Sequence, residues 1–291
     1  MKAYILKLNP EANLLEQWDF GLVKDLLDGK LWRTPDWEDF EIAEVNKLPK
    51  QDKAIVCIAG RHHAGYENKI NKELNNIDRV IFFIMGDEEA DFDFAKIKHE
   101  NIYIWVQNPH PETHDEVNRI GTGYPQHLKN NLPNYNYKEY DIYFSGQVTH
   151  DRRYELVDAL KLTDRNLELN TTDGFTKGYK PKEYYRYMQQ SKYSPAPSGA
   201  VIPDSFRLFE ALEMMSIPIA DNKTPDGRVL SYWDWLFNEI TPFPTVSNWF
   251  AIDEIIDNNI TDYEYNLHKQ TEWWIKWKRK FAYKVMEQLN E

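Results

Sequence analysis

The chain carries one cysteine, Cys57, in 291 residues, so neither an intramolecular disulfide nor a cysteine-based zinc site can form. It contains no Gly-x-Gly-x-x-Gly and no Gly-x-x-x-x-Gly-Lys-Ser/Thr, which removes the dinucleotide fingerprint and the P-loop. No apolar run approaches the roughly 18 residues of a spanning helix. The run in MKAYILKLNPEANL is too short for a secretory leader, so a soluble cytoplasmic protein is expected. Cations are scarce too: 35 Lys and Arg against 47 Asp and Glu leave a net charge of -12. That balance disfavours a long non-specific nucleic-acid surface, although a local basic patch survives in many acidic chains. Asn-x-Ser/Thr triplets at Asn170, Asn222 and Asn259 carry no meaning in the cytosol.

What is present suffices for two cores, since 42% of the residues are hydrophobic and the length prior is roughly 150 residues per domain. Residues 54–59 form a continuous apolar run, the mark of a strand buried in a parallel sheet. Residues 3–8, 80–85 and 102–106 read as further strands and 67–76 as a helix, giving the strand, helix, strand alternation of a doubly wound α/β domain. A polar linker, residues 130–138, ends it. Strands are then expected at 140–145, 167–170, 191–195 and 217–220, and helices at 153–160 and 181–190, the latter with Pro181 in its first turn. Residues 249–256 read as a short strand and helix, and 262–288 as a long final helix.

The chain is organised around residues 191–221, SKYSPAPSGAVIPDSFRLFEALEMMSIPIAD. A strand leads into a loop of small residues, 196–203, and Asp204 or Ser205 then caps a helix. Phe206, Phe209, Ala211, Leu212 and Met215 supply its apolar side, and Pro218 stops it. A loop feeding a helix start beyond a parallel strand holds anions, because backbone N–H groups and the helix dipole both favour negative charge. Arg207 lies in the first helical turn, where a cation gains only if an anion is near, and Glu210 follows one turn on. The pair suits a diphosphate held by Arg207 and a diol held by Glu210; an ordinary surface ion pair satisfies the same spacing.

Several other groups compete for a role. Arg61, His62 and His63 follow the strand 54–59 directly, where ligands sit in open parallel sheets, and His62 can act as a general base. Asp91 and Asp93 form an Asp-x-Asp triplet inside the acidic loop GDEEADFDF, where solvated acid is the simpler reading. His110, Glu112, His114 and Asp115 resemble a metal-ligand set, but Pro109 and Pro111 oppose the helix that would align His110 with His114, and no metal site is expected. Trp18, Trp32 and Trp37 either line an acceptor pocket or pack on the sheet. The final helix combines a stripe of Trp273, Trp274, Trp277, Phe281 and Val285 with many cations, which fits either a packed aromatic seam or an anionic surface.

The segment DSFRLFEALEMMSIPIAD resembles the nucleotide-sugar-binding segment of exostosin-type glycosyltransferases. It is also similar to the matching helix of the phage DNA β-glucosyltransferases, in which Arg and Glu share the spacing of Arg207 and Glu210. The resemblance is good around this motif, tolerable over the C-terminal half and slight over the N-terminal half. It implies the B-type glycosyltransferase fold: two Rossmann-like domains with a C-terminal crossing helix. The implied division is an acceptor-side domain at 1–138, a nucleotide-sugar-binding domain at 139–260, and a helix at 261–291 that packs back on the first domain.

The implied function is transfer of a sugar from a nucleotide-diphosphate donor to an acceptor hydroxyl, with no metal or other cofactor required. YFSG followed by Arg153 and Leu156 resembles the start of the exostosin C-terminal domain, which adds Gly146 and Arg153 to the donor set, with Arg152 in reserve. Backbone from Ser198, Gly199, Asp204 and Ser205 would line the nucleotide. Retaining relatives commonly carry two glutamates eight positions apart, and here the position eight before Glu210 is Ile202, which leans towards inversion. An inverting transfer needs a base. Where the phage enzymes have an Asp, this chain has Gln107 and Asn108, so the candidates are Glu112, His114, Asp115 and His62. The acceptor is a saccharide or a hydroxymethylated pyrimidine in phage DNA; the latter requires a basic cleft, with Arg61, Lys69, Lys72 and the final helix as its sources. A catalytically inactive glycan- or nucleotide-binding module is the alternative.

Overall fold

The computed structural model describes residues 1–13, 18–31, 40–131, 137–174 and 177–291. Trp32, Trp37 and the linker positions 132–136 lie outside them, as does the indole of Trp18. The chain forms two compact units, one of Met1–Gln126 with Lys276–Glu291, the other of His127–Ile275. Both are parallel α/β domains of the Rossmann type, and helices close the C-terminus. Among the described residues no helix is long and apolar enough to cross a membrane.

The first unit runs β1 (Lys2–Leu6), α1 (Gly21–Leu27), β2 (Glu41–Val45), β3 (Gln51–Ala59), α2 (Gly60–His63), α3 (Glu67–Leu74), β4 (Ile77–Met85), β5 (Ile102–Gln107) and β6 (Asn118–Ile120). Its all-parallel sheet has the order β2-β1-β3-β4-β5-β6. Val56, Ile58, Phe82 and Ile84 fill the core with Ile70 and Leu74 of α3, each such side chain contributing about 1.5–3 kcal/mol on full burial. Cys57 is wholly buried, and desolvation pushes its thiol pKa far up, so it is inert. Two strands escape the apolar pattern: β2 is an edge strand with exposed Glu41 and Glu44, and β6 is three residues long. Gly21 opens α1 because a Cβ there would lie 2.0 Å from the Tyr124 carbonyl oxygen. Residues 61–63 belong to the short helix α2 rather than to a loop.

The second unit runs β7 (Tyr140–Gln147), α4 (Asp151–Leu160), β8 (Leu167–Thr172), α5 (Pro181–Gln189), β9 (Ser191–Ala196), α6 (Phe206–Glu213), β10 (Ile217–Asp221), α7 (Tyr232–Phe237), β11 (Thr245–Val246), α8 (Ile252–Ile260) and α9 (Tyr263–Asn290). Its parallel sheet has the order β11-β10-β9-β7-β8. The short strand expected at 249–256 lies earlier, at β11. Trp249–Ala251 is instead a 3-10 turn, capped by the Asn248 side chain accepting from the Phe250 N–H. Met215, assigned to the apolar side of α6, is 47% exposed at a left-handed φ of 55°, while Met214 is buried in its place. The helix ends at Glu213, two residues before the expected face is complete.

Within α9, residues up to Ile275 belong to the second unit and those from Lys276 to the first. In the second, Trp274 donates to Glu213 at 2.8 Å and Trp273 to Glu239 at 3.0 Å. In the first, Phe281 packs edge-on against Phe83 and Trp105, and Gln288 accepts from the Trp105 indole at 2.9 Å. The aromatic stripe therefore packs instead of facing water.

In each sheet the chain starts in an inner strand, steps to one side, then crosses to the other. The reversals fall between β1 and β3 and between β7 and β9. At such a switch point the two flanking loops diverge and leave a crevice beyond the carboxyl ends of the strands, the usual ligand position of open α/β sheets.

Candidate functional site

The switch point of the second unit is where most of the expected donor residues fall. The loop after β7 brings Gly146 and His150, α4 opens with Arg152 and Arg153, the loop after β9 brings Ser198 to Asp204, and α6 starts at its cap Ser205. Arg207 reaches back from the first turn of α6 across the end of β7. Its Nε donates to the Ser145 carbonyl at 3.0 Å and its guanidinium lies 5.2 Å from the Phe144 ring centroid. Gly146 makes this possible: a Cβ there would sit 1.7 Å from Arg207 Nη2.

Arg153 ties the two loops together, donating from Nη1 to the Gln147 carbonyl at 3.0 Å and from Nη2 to the Ser198 carbonyl at 3.2 Å. His150 Nε2 meets the same Ser198 oxygen at 3.2 Å. A carbonyl accepts only, so that nitrogen carries the proton and Nδ1 keeps its lone pair. Burial, reinforced by the Arg153 charge, lowers the His150 pKa to about 4, and the ring is neutral at physiological pH. Gly199 closes the loop through its N–H to Ile202 O at 2.9 Å, and a Cβ at that position would lie 2.2 Å from the Asp204 carbonyl oxygen. Asp204 accepts from Tyr232 at 3.2 Å.

Three polar atoms here stand out. Ser198 Oγ, Ser205 Oγ and His150 Nδ1 are buried without a hydrogen-bond partner among the described residues. Ser205 occupies the N-cap of α6 with an extended backbone, yet its hydroxyl makes no capping bond. A buried hydroxyl left unmet costs about 1–3 kcal/mol, so such a group marks a place for a ligand. Two arginines, an uncapped helix start and these three atoms fall at one switch point, and their chemistry suits an anion that also carries hydrogen-bonding groups.

Glu210 lies one turn behind Arg207 and is almost wholly buried. Tyr184 and Tyr185 of α5 donate to its two carboxylate oxygens, each at 2.8 Å. Burial raises its pKa, against the pull of these hydroxyls and of Arg207. Arg152, the reserve choice, has a different task. It donates to Asp221 at 2.7 Å, pairs with Glu155, and the same Asp221 accepts from the Ser198 N–H at 3.3 Å and the Trp249 indole at 3.3 Å. This buried ion pair is the floor beneath the 198–204 loop.

The base candidates of the first unit are not brought together. Glu112 is exposed, and Asp115 is 75% exposed on its side chain and paired with Arg119 at 3.3 Å. His114 is buried, its Nδ1 accepting from the His110 N–H at 3.0 Å, and burial with the His110 charge lowers its pKa to about 4. Despite the flanking prolines, one helical turn does close here, His114 N–H to His110 O at 2.9 Å, and sets the two rings 5.9 Å apart. His62 is half-buried in α2, with its carbonyl accepting from Asn9 at 2.8 Å. His63 is structural: Nδ1 donates to Ala59 O at 2.9 Å and Nε2 accepts from the Leu8 N–H at 3.2 Å. The acidic loop after β4 is folded around Asp87, whose two oxygens accept from the N–H groups of Asp91 and Phe92, each at 3.0 Å, while Asp93 pairs with Lys96. Among the described residues no group of three or more His, Cys, Asp or Glu side chains is placed to hold a metal ion.

Sequence reasoning passed over two residues that each bury a polar atom without a partner among the described residues, His150 through Nδ1 and Asp19 through Oδ1. His150 follows a recognisable strand and precedes a helix, so its position was legible; its missing hydrogen bond was not. Asp19 carried no signal at all in the sequence, being one acid in the stretch EQWDFG.

Residues 122–291, more than half of the chain, match the family model described as the RXYLT1 C-terminal domain. No curated protein matches the chain.

Proposed function

The chain belongs to the RXYLT1 C-terminal domain family, a glycosyltransferase family, and on that footing we propose that it transfers a sugar, with inversion, from a nucleotide-diphosphate sugar to an acceptor hydroxyl. The observation that carries the donor half is the Arg207 guanidinium folded onto Gly146 at the start of α6, beside the unmet hydroxyls of Ser198 and Ser205. Arg207 and Arg153 neutralise the diphosphate as it leaves, the task that a divalent cation performs in metal-dependent transferases. The α6 start and Ser198, Gly199, Asp204 and Ser205 line the nucleotide. Each Glu210 oxygen has a second lone pair beyond its tyrosine bond, and these take the ribose hydroxyls.

Thermal unfolding with a panel of uridine, guanosine and cytidine diphosphate sugars tests this, because a ligand bound only by the native state raises stability with its concentration over Kd. A shift with one of them, abolished in Arg207→Ala and in Glu210→Ala, is the expected result. No shift with any would overturn the donor site.

For the acceptor, a saccharide is favoured over modified DNA. Carboxylates of Asp19, Asp87 and Glu88 follow the carboxyl ends of β1 and β4, where a DNA acceptor would bring phosphates. Salt-sensitive binding of hydroxymethylated duplex DNA would reverse that preference. Donor binding with no turnover on any acceptor or on water would make the chain a binding module.

A further inference from the structure

The three polar atoms of the second unit that go unmet among the described residues are not alike. Ser198 is wholly buried and its backbone is fully engaged. The N–H donates to Asp221 at 3.3 Å, and the carbonyl accepts from His150 Nε2 at 3.2 Å and from Arg153 Nε and Nη2 at 3.3 and 3.2 Å. Only its hydroxyl is left over. Ser205, also buried, holds an N-cap position and makes no capping bond. Each hydroxyl can donate to a ligand or accept from one. His150 Nδ1 has no such choice. With the ring proton committed to the Ser198 carbonyl, Nδ1 offers a lone pair only, and burial together with the Arg153 and Arg152 charges keeps a second proton off the ring.

This asymmetry constrains the ligand. An ionised diphosphate only accepts: it takes what the arginines and the serine hydroxyls donate and gives Nδ1 nothing. A shielded lone pair that stays unmet in a filled site costs affinity, so the ligand that completes the site carries a hydroxyl or N–H beside its phosphates. Ribose hydroxyls already have Glu210. The groups that act most on that carboxylate are Tyr184, Tyr185 and Arg207, whereas those that act on His150 are Arg153, Ser198, Arg152 and Asp151, so the two acceptors serve different parts of a ligand. His150 shares the Ser198 oxygen with Arg153, and Arg153 also holds the Gln147 carbonyl, one residue beyond the Gly146 seat of Arg207. The imidazole therefore borders the arginines that suit the diphosphate.

We propose that His150 is a specificity-determining residue: Nδ1 accepts a hydrogen bond from a hydroxyl of the sugar being transferred, so the site tells the intact nucleotide sugar from the nucleoside diphosphate it becomes. This rests on the glycosyl-transfer reading above and concerns the second unit alone. The sugar-bearing form satisfies Nδ1 and the spent diphosphate leaves it unmet, which favours exchange of product for fresh donor. His150 stays a neutral acceptor throughout, and no bond is made or broken at it.

Calorimetry with three pairs of ligands, UDP-glucose with UDP, GDP-mannose with GDP and CDP-glucose with CDP, reads this as the ratio of affinities within a pair. His150→Phe keeps the shape of the ring, and the Ser198 carbonyl retains both Arg153 donors. It is expected to weaken the nucleotide sugar about tenfold and to change its diphosphate by less than about twofold. His150→Asn, which returns an acceptor oxygen close to the place of Nδ1, is expected to recover part of the loss for the sugar. Equal losses for both members of a pair would make His150 a support of the loop, and no loss for either would leave Nδ1 without a role; each overturns the proposal. Should the variants fail to fold, the wild type decides. The nitrogen-15 resonance of His150 Nδ1 moves to lower frequency when its lone pair accepts a hydrogen bond, and it is expected to move with the sugar and not with the diphosphate. A resonance that ignores the sugar, or follows both ligands alike, overturns the proposal. If the diphosphates bind and His150 is indifferent, the donor site stands and only this inference falls; if no member of any pair binds the wild type, the donor site fails and takes this inference with it.

Discussion

The two units share a plan and differ in charge. Each sheet reverses direction next to its first strand and opens a crevice at the carboxyl ends of its strands. In the second unit that crevice is walled by Arg153, Arg207, a neutral His150 and an uncapped helix start; in the first it holds Asp19 and Glu88, with Arg61 in opposition. The shared topology decides where a ligand goes, and the side chains decide which ligand. The lining of one crevice is cationic and that of the other mainly acidic.

The largest expected effect separates floor from wall in the second unit. Arg152→Ala strands the buried Asp221 carboxylate and should cost about 3–5 kcal/mol of stability, seen as a large fall in Tm without ligand. Arg153→Ala, one residue on, should leave Tm near wild type and weaken donor binding instead. Equal losses in both variants would erase the distinction.

Next in size, Arg207→Ala should weaken binding of a nucleoside diphosphate by about 1.5–3 kcal/mol, the worth of a hydrogen bond to a charged group, measured by calorimetry. Gly146→Ala is a gentler form of the same test. The new methyl takes the place of the guanidinium, and a loss of about tenfold, or roughly 1.4 kcal/mol, is expected with the fold intact. Binding unchanged in Gly146→Ala would show that the Arg207 posture does not matter.

The smallest effect sharpens the other crevice, and its sign is opposite. Folded Asp19 titrates at about 6 against an ordinary 3.8, so the native state holds the extra proton between those values. The associated stability is full below 3.8 and is lost as pH rises through 6. Asparagine imitates the protonated form. Asp19→Asn should therefore match wild type in strong acid and exceed it near pH 8 by on the order of 1 kcal/mol, read as a higher Tm. A variant less stable at pH 8 would make Asp19 a structural residue.

Much of the fold was legible because buried parallel strands need no alternation. The apolar runs at Ala54–Ala59 and Val80–Met85 announce themselves. The edge strand β2, with Glu41 and Glu44 facing water, and the three-residue β6 do not, since their pairing is made by backbone and not by side-chain pattern. Ser198, Arg207 and Glu210 were readable as a loop and a helix start. That the Ser198 and Ser205 hydroxyls go unmet among the described residues, and that Arg152 supports the loop while Arg153 spans it, depends on which residues from neighbouring strands of the sheet arrive beside them.

Sequence alone determined two α/β units, the small-residue loop ahead of α6 and the Arg207–Glu210 spacing, because burial pattern and helical period are local properties of the chain. Tertiary structure alone decided the rest. Asp19 and Gln107, joined by a hydrogen bond, are 88 residues apart in the chain, and only the packed sheet shields one carboxylate oxygen and leaves it without a hydrogen-bond partner among the described residues. A pKa reports the surroundings of a group, and those surroundings exist only once the chain has closed around it.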